Sequence, residues 1–145
     1  MESVITRFSR VTDCSSIKKL QTQRDLQSKI LKFQILQKEV IVAKLKKEMI
    51  GVLKFEFLWT YQPLITHVFI DERYRRLGIG TKLVQYLEKY LIKKGYQYVF
   101  TSSYEDIKDP HKWYEIQEFK PCGVVDKINL PDSTSKEIFF YKRLS

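Results

Sequence analysis

The chain has only two cysteines, two histidines, four prolines and five glycines among its 145 residues. Cys14 and Cys122 lie far apart with no metal-ligand spacing, so they read as reduced thiols of a cytoplasmic protein. So little Cys and His leaves no material for a zinc site, and no metal is expected. No apolar run reaches the length of a membrane span, and the opening residues MESVITRFSR lack the apolar centre of a signal peptide. Repeats, low-complexity segments and linkers are also missing. Residues 1–145 therefore read as a single domain, long enough to bury a core.

What is present is an ordinary globular composition, 43% hydrophobic and 30% charged, with a net charge of +9. Residues 1–50 carry 11 Lys and Arg against 5 Asp and Glu, residues 51–100 carry 8 against 4, and residues 101–145 carry 7 against 8. The excess is dispersed, without a block of like charge. It fits a solvated surface or an anionic ligand, and charge alone does not separate nucleic acid from a phosphate-bearing cofactor. A nucleic-acid binder would interleave aromatics with a local basic patch. Here the aromatics alternate along strand-like runs, as core residues do, and the basic charge is spread, which counts against that class.

Apolar periodicity gives a coarse order of elements. Residues 3–11 read as a strand, and Thr12 or Asp13 caps a helix through Ile17 and Leu20. Residues 24–37 are helical, with Leu26, Ile30, Phe33 and Leu36 three or four apart. Strands follow at 39–45, 49–61 and 64–70, with KKE (46–48) as a turn and Gln62-Pro63 as a break. The clearest helix spans 79–94. Ile79, Leu83, Leu87, Tyr90 and Leu91 make its apolar stripe, and Gly95 ends it. A strand at 96–102, a helix at 109–119 capped by Asp109, and strands at 122–130 and 137–144 around the turn PDSTS complete the order βααβββαβαββ. The fold class is mixed α/β.

Two of the five glycines fall within RRLGIG, residues 75–80, between a strand and the clearest helix. A helix start leaves backbone N–H groups without internal partners, and with the helix dipole these form an anion site. Gly78 and Gly80 offer no side chain to block a phosphate oxygen, and Arg73, Arg75 and Arg76 add charge. The turn lacks the GK[ST] of a P-loop. Leu83 stands where a dinucleotide fingerprint would need its third glycine.

Arg75-x-x-Gly78-x-Gly80 resembles the R/Q-x-x-G-x-G/A motif of the GNAT superfamily of N-acetyltransferases. GVLKFEF resembles that family's third strand, and VFIDERYRRLGIGTKLVQYLEKYLIKKG its fourth strand, motif and helix. WYEIQEFKPCG is similar to its late helix, and EIFFYKRL to its last strand. Two positions depart from the pattern: Glu118 replaces the usual Gly before Phe119, and Ile107 replaces a frequent Asn.

The resemblance implies a mostly antiparallel central sheet flanked by about four helices, with acetyl-CoA as cosubstrate. It implies pyrophosphate binding by Arg75, Arg76, Leu77, Gly78, Ile79, Gly80 and Thr81. Backbone N–H groups of Val68, Phe69 and Ile70 would hold pantetheine where strand 64–70 parts from strand 96–102. An amine of the acceptor attacks the thioester directly, and Tyr114, on the family's Tyr position, is the expected acid. The family's catalytic positions on strand 64–70 fall at Leu64 and Thr66, neither of which can act as a base. Glu56 is the expected base, working through a water, provided the hairpin pairs it across from Val68. A slip of one residue would pair it with His67, which is expected to be structural. The acceptor is unspecified, and the protein is expected to be a monomer or homodimer. A CoA-binding protein without transferase activity and a basic nucleic-acid binder are the alternatives.

Overall fold

The computed structural model describes residues 3–21, 28–128 and 135–144. Its strands are β1 (Val4–Phe8), β2 (Val40–Leu45), β3 (Glu48–Leu58), β4 (Gln62–Ile70), β5 (Tyr98–Tyr104), β6 (Lys120–Val125) and β7 (Glu137–Arg143). Its helices are α1 (Cys14–Leu20), α2 (Ser28–Leu36), α3 (Ile79–Lys93) and α4 (Lys108–Ile116). Strand order is β1-β2-β3-β4-β5-β7-β6. The β4–β5 pair is parallel, and β1–β2, β2–β3, β5–β7 and β6–β7 are antiparallel. This is the mixed, mostly antiparallel sheet with four helices expected from the sequence, in the expected order. The chain divides into two compact units, Met1–Phe55 with His67–Tyr90 and Glu56–Thr66 with Leu91–Ser145.

In the first unit the sheet is buried on both faces. On one face, Val40, Val42, Met49 and Val52 pack with Ile17 of α1 and Leu31 and Ile35 of α2, with Phe69 against them. On the other face, a β-carbon at Gly51 would stand 3.0 Å from Ile70, 3.2 Å from Leu83 and 3.3 Å from Ile79. Ile70 ends β4 and Ile79 begins α3, so both ends of the intervening turn rest on a residue without a side chain. Alternation along β4 is thereby visible: Phe69 faces the α1/α2 cluster and Ile70 faces α3. Asp13 does not cap α1 with its side chain. Its carboxylate accepts from Arg10 N (2.7 Å) and from Arg7 (2.8 and 3.1 Å) instead, closing the short 3-10 turn Val11–Asp13. Of the expected helix 24–37, the residues before Ser28 lie outside the described residues.

In the second unit, β5 pairs with β4 through Leu64↔Phe100 and Ile65↔Thr101, and with β7 along its whole length. The hairpin turn falls at Trp59 and Thr60 (φ 51° and 70°), not at Gln62-Pro63. Tyr61 N donates to Leu58 O at 3.1 Å, closing a turn whose two central residues lie in the left-handed region that Asn-Gly usually occupies. Pro63 is the second residue of β4 and is buried. The helix α3 ends as expected: Gly95 (φ 90°) donates to Ile92 O and Tyr96 donates to Leu91 O, both at 3.0 Å. Ile107, not Asp109, occupies the cap position of α4, and Asp109 sits in the first turn. Residues 131–134 of the expected PDSTS turn lie outside the described residues.

Candidate active site

The Gly-rich turn is built from its preceding strand upward. Asp71 N donates to Ile50 O at 2.8 Å, and the Asp71 carboxylate accepts from Arg73 N at 3.0 Å. The Arg73 guanidinium reaches both Asp71 (2.9 Å) and Glu48, and Tyr74 OH donates to Glu48 at 3.1 Å. These bonds hold the Asp71 carboxyl below its usual range, chiefly through the Arg73 side chain and then its N–H. The charge of Arg73, expected to attract the ligand, is thus met by two carboxylates of the chain itself.

Beyond this clasp the turn opens. Arg75 Nε donates to Ile70 O at 3.1 Å, and its guanidinium lies 5.8 Å from the Phe69 ring centre. Arg76 (φ 64°) and Gly78 (φ 81°) are left-handed, and alternation of hand turns successive N–H groups toward a common concavity. Lys82 N donates to Gly78 O at 3.1 Å, so Gly78 is the residue from which α3 starts. A β-carbon at Gly78 would meet nothing within 4 Å. What requires glycine there is the backbone angle, and the space it leaves is open to a ligand. Arg75, Arg76 and Leu77 are exposed, Ile79 and Gly80 are buried, and Thr81 is half-buried. Val68, Phe69 and Ile70 are each half-buried.

Tyr114 lies in the last turn of α4, 8% exposed. Its ring centre is 5.5 Å from Trp113, 5.7 Å from Phe119 and 5.6 Å from Phe140. Burial pushes its hydroxyl above the ordinary tyrosine value, a hydrogen bond with Thr101 draws it back, and the Glu137 charge adds to the rise. Thr101 is itself fully buried and donates its hydroxyl to Ile65 O at 3.2 Å. After α4, Glu118 takes φ 70°, Glu118 N donates to Glu115 O and Phe119 N to Tyr114 O, both at 2.9 Å. The residue that departs from the glycine pattern adopts the backbone a glycine would adopt.

Glu56 is exposed on β3. The Asp71 N–Ile50 O bond, with Ile70 against Gly51, runs the register so that Val68 lies nearer Leu53 than Glu56, so the pairing that recommended Glu56 is not made. His111 is half-buried with Nε2 2.8 Å from Tyr104 O, and Cys122 is exposed on β6. Sequence reasoning missed Thr101 and Glu48. The first follows Val99-Phe100 and precedes Ser102-Ser103, with nothing in the sequence to single it out. The second had no signal, because its partners lie 25 and 26 residues away.

Among the described residues, no group of three or more His, Cys, Asp or Glu could hold a metal, and no helix is long and apolar enough to cross a membrane. The sequence matches the acetyltransferase (GNAT) family over residues 10–119. No curated protein sequence matches it. Among solved structures, the chain is similar to a GNAT-family acetyltransferase of Bacillus cereus, with 19% identity, 99% of each chain covered and a TM-score of 0.81. It is similar to the ribosomal-protein-S18-alanine N-acetyltransferase of Escherichia coli at 15% identity, covering 99% of this chain and 95% of that one, with a TM-score of 0.80. It is also similar to yncA of Salmonella typhimurium, crystallised with its cofactor acetyl-CoA, at 13% identity, 99% and 95% coverage and a TM-score of 0.83. At these identities the likeness establishes the fold.

Proposed function

Because this chain belongs to the GNAT acetyltransferase family, whose cosubstrate is acetyl-CoA, we propose that it acetylates a primary amine of an acceptor yet to be identified. The observation that carries the reading is the turn Arg75-x-x-Gly78-x-Gly80, left-handed at Arg76 and Gly78 and opening into a helix of 15 residues. Residues 75–81 would hold the pyrophosphate through backbone N–H groups and the exposed guanidinia of Arg75 and Arg76. The N–H groups of Val68, Phe69 and Ile70 would hold pantetheine. The family match runs through both compact units, which supports reading residues 1–145 as one catalytic domain.

When bound, acetyl-CoA supplies the thioester that the amine attacks. Tyr114 gives its proton to the departing thiolate. Between an ordinary phenol near pH 10 and a thiol near 8.5 that transfer runs uphill by about 2 kcal/mol, and the burial of Tyr114 adds to it. Glu56 accepts the amine's proton through a water, a role supported by its being an exposed carboxylate on β3. The acceptor is most readily sought with amines of moderate charge, since a strongly basic protein suits polycations poorly.

The reading is tested by CoA release from acetyl-CoA over a panel comprising a peptide with N-terminal alanine, a lysine peptide, a polyamine and an aminoglycoside. Acceptor-dependent release, abolished in Gly80→Asp, supports it. Binding of acetyl-CoA with no release over a broad panel would favour the CoA-binding alternative instead.

A further inference from the structure

The helix α2 carries two apolar stripes on opposite sides. Leu31 and Ile35 form the buried one, packed into the core of the first unit. Ile30, Phe33 and Leu36 form the other, and they are 53%, 60% and 71% exposed. At helical spacing Phe33 stands opposite the midpoint of Leu31 and Ile35, with Ile30 and Leu36 about 60° to either side. A helix that only closes a core carries polar residues on that side. Three large apolar side chains together in solvent mark a surface with a partner.

The charge carried by α1 and α2 has one sign. Lys18 and Lys19 lie in α1, Lys29 and Lys32 lie in α2, and neither helix contains an Asp or Glu. Lys18 Nζ donates to Ser28 Oγ, which ties the α1 lysine to the start of α2. Lys29 is one turn before Phe33 and Lys32 one turn before Leu36, both exposed, so both stand beside the apolar stripe. Two copies of this face would set lysine against lysine with no carboxylate of either helix to meet them. The complement is therefore anionic.

The size of the face selects among anionic partners. Three side chains on one convex helix of nine residues fall well short of the ~800 Å² per side of a stable protein interface. A bilayer surface needs no matching concavity. It takes apolar side chains to a depth of about 5–10 Å at the headgroup boundary, while lysine stems reach back to the phosphates. We propose that the outward face of α2 docks the protein on an anionic lipid bilayer, with Ile30, Phe33 and Leu36 inserted and Lys18, Lys29 and Lys32 on lipid phosphates. This is attachment to the surface, since no described helix is long and apolar enough to cross a membrane. Insertion and charge act together: so small an apolar face holds weakly alone, and lysines without insertion give only the attraction that a net charge of +9 already provides. Docking of this kind is independent of the acetyl-transfer chemistry.

The test is co-sedimentation of the full chain with sucrose-loaded vesicles at physiological salt. One set is phosphatidylcholine alone, and the other is phosphatidylcholine and phosphatidylglycerol in a ratio of roughly 2:1. The protein should pellet with the anionic vesicles and stay in solution with the neutral ones. Phe33→Ser keeps every charge and should lower the partition coefficient about tenfold, while Phe33→Leu should stay within about threefold of the wild type. Lys29→Gln combined with Lys32→Gln should lower it about tenfold or more. All these side chains are exposed, and unchanged ellipticity and thermal midpoint establish that the variants fold. Partition that is unchanged in Phe33→Ser is attraction by net charge alone and overturns the proposal. Absence of binding to the anionic vesicles overturns it too, and would leave the face to an acidic protein partner.

Discussion

Phe119 N–H donates to the Tyr114 carbonyl across 2.9 Å, and Glu118 between them bends through φ 70° to allow it. The bond ends α4 at the turn that carries the proposed acid, so the geometry of Tyr114 depends on a residue with no part in the chemistry. A left-handed angle costs a residue with a β-carbon about 1 kcal/mol. The Glu118–Lys142 contact, at 4.0 Å from a well-exposed carboxylate, offsets little of that. Glu118→Gly should therefore stabilise the protein by up to about 1 kcal/mol, less what glycine gains in the unfolded chain. Urea denaturation checks the sign. A lower midpoint in Glu118→Gly would mean that the carboxylate contributes more than the backbone angle costs.

Glu48 reaches Arg73 and Tyr74 from the first residue of β3 and braces the approach to the Gly-rich turn. Its bonds are exposed, so Glu48→Gln should leave global stability nearly unchanged. Acetyl-CoA affinity should fall several-fold while kcat at saturation stays near wild type, because the turn loses order without losing a ligand group. Calorimetric titration at two salt concentrations reads this. Tighter binding in the variant would show that the freed Arg73 adds more attraction than the clasp adds order.

Tyr114→Phe should lower turnover about 100-fold with little effect on acetyl-CoA affinity, the loss of a proton donor rather than of a contact. It should also alter stability at high pH. Burial, the largest influence on Tyr114, raises it above its unfolded value, so the fold holds it neutral. That stability is full below about pH 10 and is lost as pH climbs through the folded value, because the unfolded chain ionises first. Thermal midpoints measured from pH 9 to 11 should fall less steeply in Tyr114→Phe than in the wild type.

The base assignment is tested by Glu56→Gln and His67→Gln. Glu56→Gln should lower kcat/KM and remove the acidic limb of its pH profile, while His67→Gln should keep the wild-type profile. The reverse result would transfer the base to His67.

What was legible in the sequence was whatever local periodicity or a single backbone angle determines. The helix α3 is announced by Ile79, Leu83, Leu87 and Leu91 on one stripe, and Gly95 closes it at the residue expected. The Gly-rich turn is legible because Gly78 is needed for an angle that few residues accept. The hairpin was misread because Trp59 and Thr60 take left-handed angles without the usual Asn or Gly, while Gln62-Pro63 mimics a breaker. With the turn moved, the partner of Glu56 moved too, since register is counted from the turn. Arg73 looked like a free cation because its carboxylate at Glu48 is distant in sequence, and Thr101 looked like a strand residue because its partners sit on other elements.

The central claim is that the turn from Arg75 to Thr81 holds acetyl-CoA by its phosphates, and the most direct measurement is acetyl-CoA binding by wild type and Gly80→Asp. Gly80 is buried in the first turn of α3, so Gly80→Asp is first shown by circular dichroism to fold without ligand. The variant puts a fixed negative charge where the phosphate would sit. In calorimetry and thermal shift, acetyl-CoA should bind and stabilise the wild type and do neither for Gly80→Asp. A folded Gly80→Asp that binds acetyl-CoA as tightly as the wild type would contradict the account.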